Sequence, residues 1–295
     1  MYYSKHLERF LSPTSCLLSV NIVLTVLKND CRFASLGQAK RILVISAIHG
    51  EIEKLVTLHN TLFPHIRPGD RLIYTGNYIG YGDSSSDVLD ELLSFRRATL
   101  AKPGMIPSDL IYLRGGQEEM WQKLLQLQFA PDPTQALVWM LGNGLSNTLN
   151  AYGLCPHDGI EACRQGMVGI TQWTSKIKTI FKNSPGHESF TTHLVRAAYI
   201  PITAEYPMLF VHAGIDADKP LTEQGDAFWW ANSKFDYIHH AYAPFQKVVR
   251  GYDPKHNGVN FNCIKATIDG GCGFGGDLVC AVFDENGEVL DSLAC

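Results

Sequence analysis

The sequence has no basic run: its 25 Lys and Arg are outnumbered by 29 Asp and Glu, for a formal charge of −4. Nucleic-acid binding rests on a clustered positive field facing phosphates. Nucleic acid is therefore excluded as an expected partner. There is no CxxC among the eight cysteines (16, 31, 155, 163, 263, 272, 280, 295), which removes zinc-knuckle and thioredoxin-like sites. Thiols scattered this thinly through 295 residues fit ordinary buried cysteines, and a reducing cytoplasm is the expected setting. No stretch reaches the roughly 20 apolar residues of a membrane span. The longest candidate, "SCLLSVNIVLTVL" (15–27), follows Lys5 and Arg9 and is interrupted by Asn21. No membrane association is expected; the segment reads as an extra strand or helix on the domain edge, a secretory signal cleaved near Ala34 being the lesser reading.

What is present is enough apolar sequence, 45%, to bury a full core. From residue 41 strand and helix patterns alternate: "RILVIS" (41–46), "EIEKLVTLHNTLF" (51–63), "RLIYTG" (71–76), "DVLDELLSFRRATL" (87–100), "DLIYLRG" (109–115), then a helix over 117–129. Such alternation implies a sheet flanked by helices, with the loops at the strands' C-terminal ends carrying function. Residues 130–200 read as mainly helical, with Trp139, Leu149 and Tyr152 as packing residues. After them "MLFVHAG" (208–214), "KVVRGYD" (247–253), "CIKATIDGG" (263–271), "DLVCAVFD" (277–284) and "GEVLDSL" (287–293) are strand-like. Asn286-Gly287 signals a hairpin. The expectation is a second, mostly antiparallel sheet packed on the first.

The strand-end loops read "SAIHG" (46–50), "GNYIGYG" (76–82), "RGGQEE" (114–119), "VHAG" (211–214) and "VVRGYD" (248–253). In order and spacing they resemble the metal-site blocks GDxHG, GDxxDRG, GNHE, H[AG]G and GH of the phosphoprotein phosphatase branch of the calcineurin-like metallophosphoesterases. Between them, "WMLGNGLSNTLNAYG" (139–153), "HAGIDADKPLTEQ" (212–224), "FWW" (228–230) and "IDGGCGFGGDLVCAVFD" (268–284) resemble bacterial serine/threonine phosphatase and diadenosine tetraphosphatase-like members. The resemblance implies an α/β fold, a four-layer α-β-β-α sandwich of two mixed sheets. It also implies a helical cap over 120–205, within a domain of 41–295 that follows an N-terminal extension of 1–40.

Two-metal hydrolases of this kind hold two ions on a bridging carboxylate, convert a bound water to hydroxide and offset charge on the phosphoryl oxygens. Carried over position by position, the resemblance puts the first-metal Asp at Ala47 and keeps its His as His49. The bridging Asp falls on Asn77, the Asp that orients the catalytic acid on Gly80, and the phosphate-binding Arg on Tyr81. The Asn ligand becomes Gly116 and the general-acid His becomes Gln117, with Glu118 retained. His212 keeps its position, and the final His becomes Tyr252. Four of the six ligand positions are thus replaced. Two imidazoles and an amide should bind divalent ions orders of magnitude more weakly, since outer-shell changes alone cost ~10–100-fold. Gln117 cannot protonate a leaving alkoxide at neutral pH. The expected cofactor state is no metal, or one weakly bound divalent ion (Mn, Fe, Zn or Ni).

The surviving polar residues have simpler readings as well. His49 and His212 can be hydrogen-bonded strand-end histidines, and Arg114 can pair with Glu118 or Glu119. Arg250 is expected to project toward the cleft, there to hold a phosphate or carboxylate in bidentate fashion or to form a salt bridge in the vacated metal site. "DGGCGFGGD" (269–277) lacks the Lys-Ser/Thr and the following helix of a P-loop and reads as a turn between two strands. His239 and His240 read as lid or core residues.

Three functions are in play: a pseudophosphatase that binds a phosphate-bearing small molecule or a protein partner, with Arg114, Arg250 and Tyr81 as ligand-binding candidates; an active phosphoester hydrolase for phosphoprotein or dinucleoside polyphosphate; and a structural or assembly protein acting through 228–245. The hydrolase would use one metal on His49, Asn77 and His212, helped by Glu118 or Asp253. The pseudophosphatase is the leading expectation.

Overall fold

The structure, a computed structural model, describes residues 30–230 and 233–295. The apolar stretch 15–27 lies outside the described residues. The described chain begins with β1 (Phe33–Ser35) on the edge of a sheet, followed by β2 (Arg41–Ile45), helix α1 (Ile52–Leu62), β3 (Asp70–Tyr74), α2 (Ser85–Leu100), β4 (Leu110–Tyr112) and α3 (Gly116–Leu124). A run of helices follows: α4 (Pro133–Met140), α5 (Ser146–Ala151), α6 (Pro156–Arg164), α7 (Gly166–Asn183) and α8 (His187–Thr192). The remaining strands are β5 (Ala197–Tyr199), β6 (Met208–Val211), β7 (Lys247–Arg250), β8 (Asn260–Phe261), β9 (Lys265–Thr267), β10 (Val279–Phe283) and β11 (Val289–Ala294).

Two mixed sheets result, ordered β11-β10-β2-β3-β4 and β1-β5-β6-β7-β9-β8. Side chains alternate along each strand, so one strand feeds two cores. Ile42 and Val44 of β2 pack between the sheets with Ile73, Phe210, Val249, Ala281 and Phe283. Leu43 and Ile45 face outward onto Leu55 and Leu58 of α1 and Leu89 and Leu92 of α2. On the far side of the second sheet, Leu209, Val211 and Val248 are covered by Phe228, Trp229, Phe235 and Phe245. The four-layer sandwich of two mixed sheets is therefore observed. Its second outer layer, among the described residues, is built of 3₁₀ turns at Leu221–Glu223, Gly225–Phe228 and Ser233–Phe235.

Three expectations are corrected. The strands after residue 208 do not form one antiparallel sheet: β6, β7 and β9 run parallel in the second sheet, while β10 pairs antiparallel with β2 in the first. All five residues of β10 are buried, as a strand covered on both faces must be, and that places it inside the sheet beside β2. The glycine-rich 269–277 segment is consequently a crossing from the second sheet to the first rather than a turn between neighbours. Trp139 is half exposed, its indole standing edge-on to that of Trp230 at 5.8 Å. The 283–289 hairpin does form, with positive φ at Gly287 but not at Asn286.

Candidate functional site

The five strand-end loops meet at one place. Ala47 N–H donates to Gly251 O, Ile48 and His49 N–H to Asn77 O, Gly50 N–H to Tyr78 O, and Gly251 and Tyr252 N–H to His212 O. The loops can come this close because some carry no side chain: a Cβ on Gly251 would stand 1.8 Å from Thr75 Oγ1. Among the described residues, three that are not glycine adopt left-handed backbone, His49 (φ 55°), Asn77 (φ 52°) and His256 (φ 47°), and all three lie here. Each such conformation costs energy that the surrounding contacts must offset, and strain of this kind concentrates at functional sites.

Asn77 is locked by its neighbours. Its Oδ1 accepts the Gln117 N–H at 2.9 Å, so its amide nitrogen must face the other way, 3.2 Å from Nε2 of His49. Nε2 therefore accepts, which leaves the neutral ring's proton on Nδ1, buried with no partner. Nδ1 of His212 lies 2.7 Å from Thr75 O and donates to it, leaving the Nε2 lone pair buried and unpartnered. Gln117 gives Nε2–H to Asn143 O at 2.8 Å, and its Oε1 is a third buried atom without a partner. Burial holds both imidazoles neutral. It depresses the pKa of His49 to about 3, with help from the charges of His212 and His256, and that of His212 to about 4.

Glu118 organises the loop from below. Its carboxylate accepts N–H bonds from Gly115, Asn77, Tyr78 and Ile79, at 2.8 to 3.4 Å. Burial raises its pKa against the pull of these four donors.

The space beside the histidines is filled by rings. Tyr81, Tyr252 and Phe274 stand 5.3 to 5.5 Å from the His49 ring, and Tyr252 stacks on His212 at 5.2 Å and 7°. Phe274 sits in the glycine-rich crossing, whose Gly273 lies so close to His49 that a Cβ there would be 2.5 Å from His49 Cβ. His256, held by Asp269 through Nδ1 at 2.9 Å, packs on Phe274 at 4.1 Å. At Gly116, a Cβ would meet the Trp230 indole at 2.8 Å. Gly80, with φ 140°, lies so that a Cβ would be 2.8 Å from His49 Nδ1.

No protein-family model matches the sequence, and no curated protein does. Among solved structures, the chain is similar to "Crystal structure of a putative diadenosine tetraphosphatase", with 17% identity over 89% of this chain and 97% of that one, at a TM-score of 0.52. The chain has the calcineurin-like metallophosphoesterase fold. A serine/threonine phosphatase from Saccharomyces cerevisiae (14% identity, 92% and 83% covered, TM-score 0.46) and a cold-active protein-tyrosine phosphatase from Shewanella sp. (13%, 88% and 84%, 0.48) are looser likenesses. At 17% identity the first of these likenesses shows the fold and says nothing of the reaction.

The metallophosphoesterase fold implies a metal centre, and its donor set can be tested here. No group of three or more His, Cys, Asp or Glu suited to a metal exists among the described residues. Asn77 presents an N–H toward His49, where a cation would need an oxygen. Glu118 spends its carboxylate on four backbone N–H groups. Asp253 points elsewhere, paired with Arg250 at 3.2 Å. These residues do not fit a two-metal centre, which needs several anionic oxygen ligands.

The two arginines singled out by sequence lie apart from the cleft histidines. Arg114 pairs with Glu119 at 3.4 Å, not with Glu118. Arg250 does not project toward the cleft: its guanidinium lies over the Phe235 ring and binds Thr267, Asp236 and Asp253. His239 and His240 are exposed and line a separate cavity beside Tyr242. Sequence reasoning missed the His256–Asp269 pair, Phe274 and Trp230. The available signal was the glycine density of 269–277, which marks a backbone pressed against something, here His49.

Proposed function

We propose that the protein is a pseudophosphatase, a metallophosphoesterase-fold module that binds a phosphate-bearing small molecule or a protein partner without two-metal hydrolysis. One observation carries this reading: the Asn77 amide is held so that it donates to Nε2 of His49. An amide cannot bridge two dications as a carboxylate does, and this one turns its donor side toward the ring nitrogen. The ring cluster of Tyr81, Tyr252 and Phe274 supports the reading, because it occupies the ground beside His49 where ligands would otherwise converge. The surface over that cluster, with His256 and Tyr81 at its edge, is the candidate binding face. The cytoplasm is the proposed setting, in keeping with seven described cysteines that are all free thiols.

A second reading keeps a specific observation behind it. His49 Nδ1 and His212 Nε2 are both buried and unpartnered, and a single ion on rearranged rings would satisfy them. Elemental mass spectrometry on protein purified without chelators separates the two readings. The pseudophosphatase reading expects less than about a tenth of an equivalent of Mn, Fe, Zn or Ni. One tight equivalent that is lost in His49→Ala or His212→Ala, together with hydrolysis of an aryl phosphate, would establish the hydrolase instead.

A further inference from the structure

The strands β7 and β9 run parallel and end side by side at Arg250 and Thr267. In α/β sheets, ligand crevices form outside such carboxyl ends. A cavity of about 260 Å³ lies there, bounded by Asp236 and by Asp253, Asn257 and Asn260 of the segment that follows β7, with Lys265 and Arg250 in its wall. It is separate from the cleft histidines, none of which lines it.

Arg250 is 4% exposed, and burying a guanidinium costs several kcal/mol unless every donor is used. Its Nε donates to Thr267 Oγ1 at 2.9 Å, and its Nη2 serves Asp236 and Asp253, both at 3.2 Å. Nη1 has no acceptor among the described residues. Lys265 Nζ donates to the carbonyls of Phe235 and Asp236, with a third N–H left over. The Asn260 side-chain amide has no partner among the described residues either.

The carboxylates at this place are, by contrast, already engaged. Asp236 accepts from Arg250 and Lys255. Asp253 accepts from Arg250, the Lys255 N–H and Asn257. Asp269, behind them, accepts from the Asp253 and Gly271 N–H groups and from His256. Donors nevertheless remain unmet at Arg250, Lys265 and Asn260, and two of those residues are cationic.

The geometry points to a small-oxyanion site in this cavity, in which a carboxylate or phosphate group accepts from Arg250 Nη1, Lys265 Nζ and Asn260. Charge-assisted pairing of this kind is what a guanidinium fork does best. The site holds whether or not the cleft above His49 is catalytic.

The test is titration of the full chain with acetate and, separately, with methyl phosphate, followed by isothermal calorimetry and by the side-chain Nε–H resonance of Arg250. Saturable binding of either probe that moves this resonance supports the site, and the preferred probe identifies the group that the natural ligand carries. Lys265→Gln should weaken binding about tenfold, the loss of one charge-assisted hydrogen bond. Asn260→Ala should weaken it less. Arg250→Lys should abolish it; if that variant fails to fold, the Lys265 result decides. Absence of saturable binding of both probes, or binding that Lys265→Gln leaves unchanged, overturns the proposal.

Discussion

Asn77 Nδ2 and His49 Nε2 face one another across 3.2 Å, donor to lone pair. That relationship fixes the tautomer of His49 and depends on the side chain at 77 being an amide. Replacing it by a carboxylate puts an anion beside an accepting nitrogen, which is tolerable only if the ring takes a proton. Asn77→Asp should therefore raise the His49 pKa from about 3 toward neutrality. As that pKa approaches the unfolded value near 6.5, the share of acid destabilisation that His49 contributes shrinks. A shallower fall of melting temperature on acidification is expected in Asn77→Asp than in the natural protein; equal slopes would remove the assigned tautomer.

The natural protein should lose stability on acidification through its buried histidines. His49 and His212 have folded pKa values of about 3 and about 4, below an unfolded value near 6.5. As pH falls below that unfolded value, the unfolded chain binds protons that the folded one does not. Stability is thus complete above about pH 6.5 and falls by ~1.4 kcal/mol per pH unit for each histidine down toward pH 4. His59, whose pKa burial also lowers, adds to the same limb. Urea unfolding at successive pH values measures the slope, and His212→Gln should make it shallower by one proton.

The sheets were largely legible in the sequence because their strands have distinct chemical periods. Arg41–Ile45 and Asp70–Tyr74 are short apolar runs followed by amphipathic helices, so their place in a parallel unit follows from pattern alone. Val279–Phe283 shows the limit. Its composition says buried strand, but which sheet it joins depends on how far the glycine crossing before it can carry the chain. At the site, the residues Ala47, Asn77, Gly116 and Tyr252 stand in the sequence where the resemblance expects ligands, and that much is read position by position. What packs there could not be read, since Trp230 reaches Gly116 from more than a hundred residues away and Phe274 reaches His49 from farther still. Arg250 was misplaced for the same reason: strand-end position was readable, but not the face onto which its side chain turns.

Glu118 accepts four backbone N–H bonds, and those contacts make it structural. Glu118→Gln keeps the size but replaces an acceptor of four backbone N–H bonds with a group that has one oxygen and an N–H₂ facing donors. Leaving buried donors unsatisfied costs ~1–3 kcal/mol each where they cannot relax. A loss of ~3 kcal/mol is expected, with faster amide exchange confined to residues 76–80 and 115. Loss of less than about 0.5 kcal/mol would mean that water replaces the carboxylate at no cost.

Installing the ligands that the resemblance assigns to these positions tests whether the ring cluster by itself keeps a metal out. Ala47→Asp, Asn77→Asp, Gly116→Asn, Gln117→His and Tyr252→His together return the oxygen and nitrogen donors that a two-metal site requires. Side-chain identity is not the only obstacle, however. An Asn at 116 would collide with the Trp230 indole, 2.8 Å from where its Cβ must go. Phe274 would still stand 5.3 Å from the His49 ring. The fivefold variant should therefore bind Mn poorly, while the same variant carrying Trp230→Ala and Phe274→Ala should bind it measurably better. Elemental analysis after dialysis gives the answer. Full loading of the fivefold variant alone would mean that the rings yield easily, and that the missing carboxylates are the whole of what separates this cleft from a metal site.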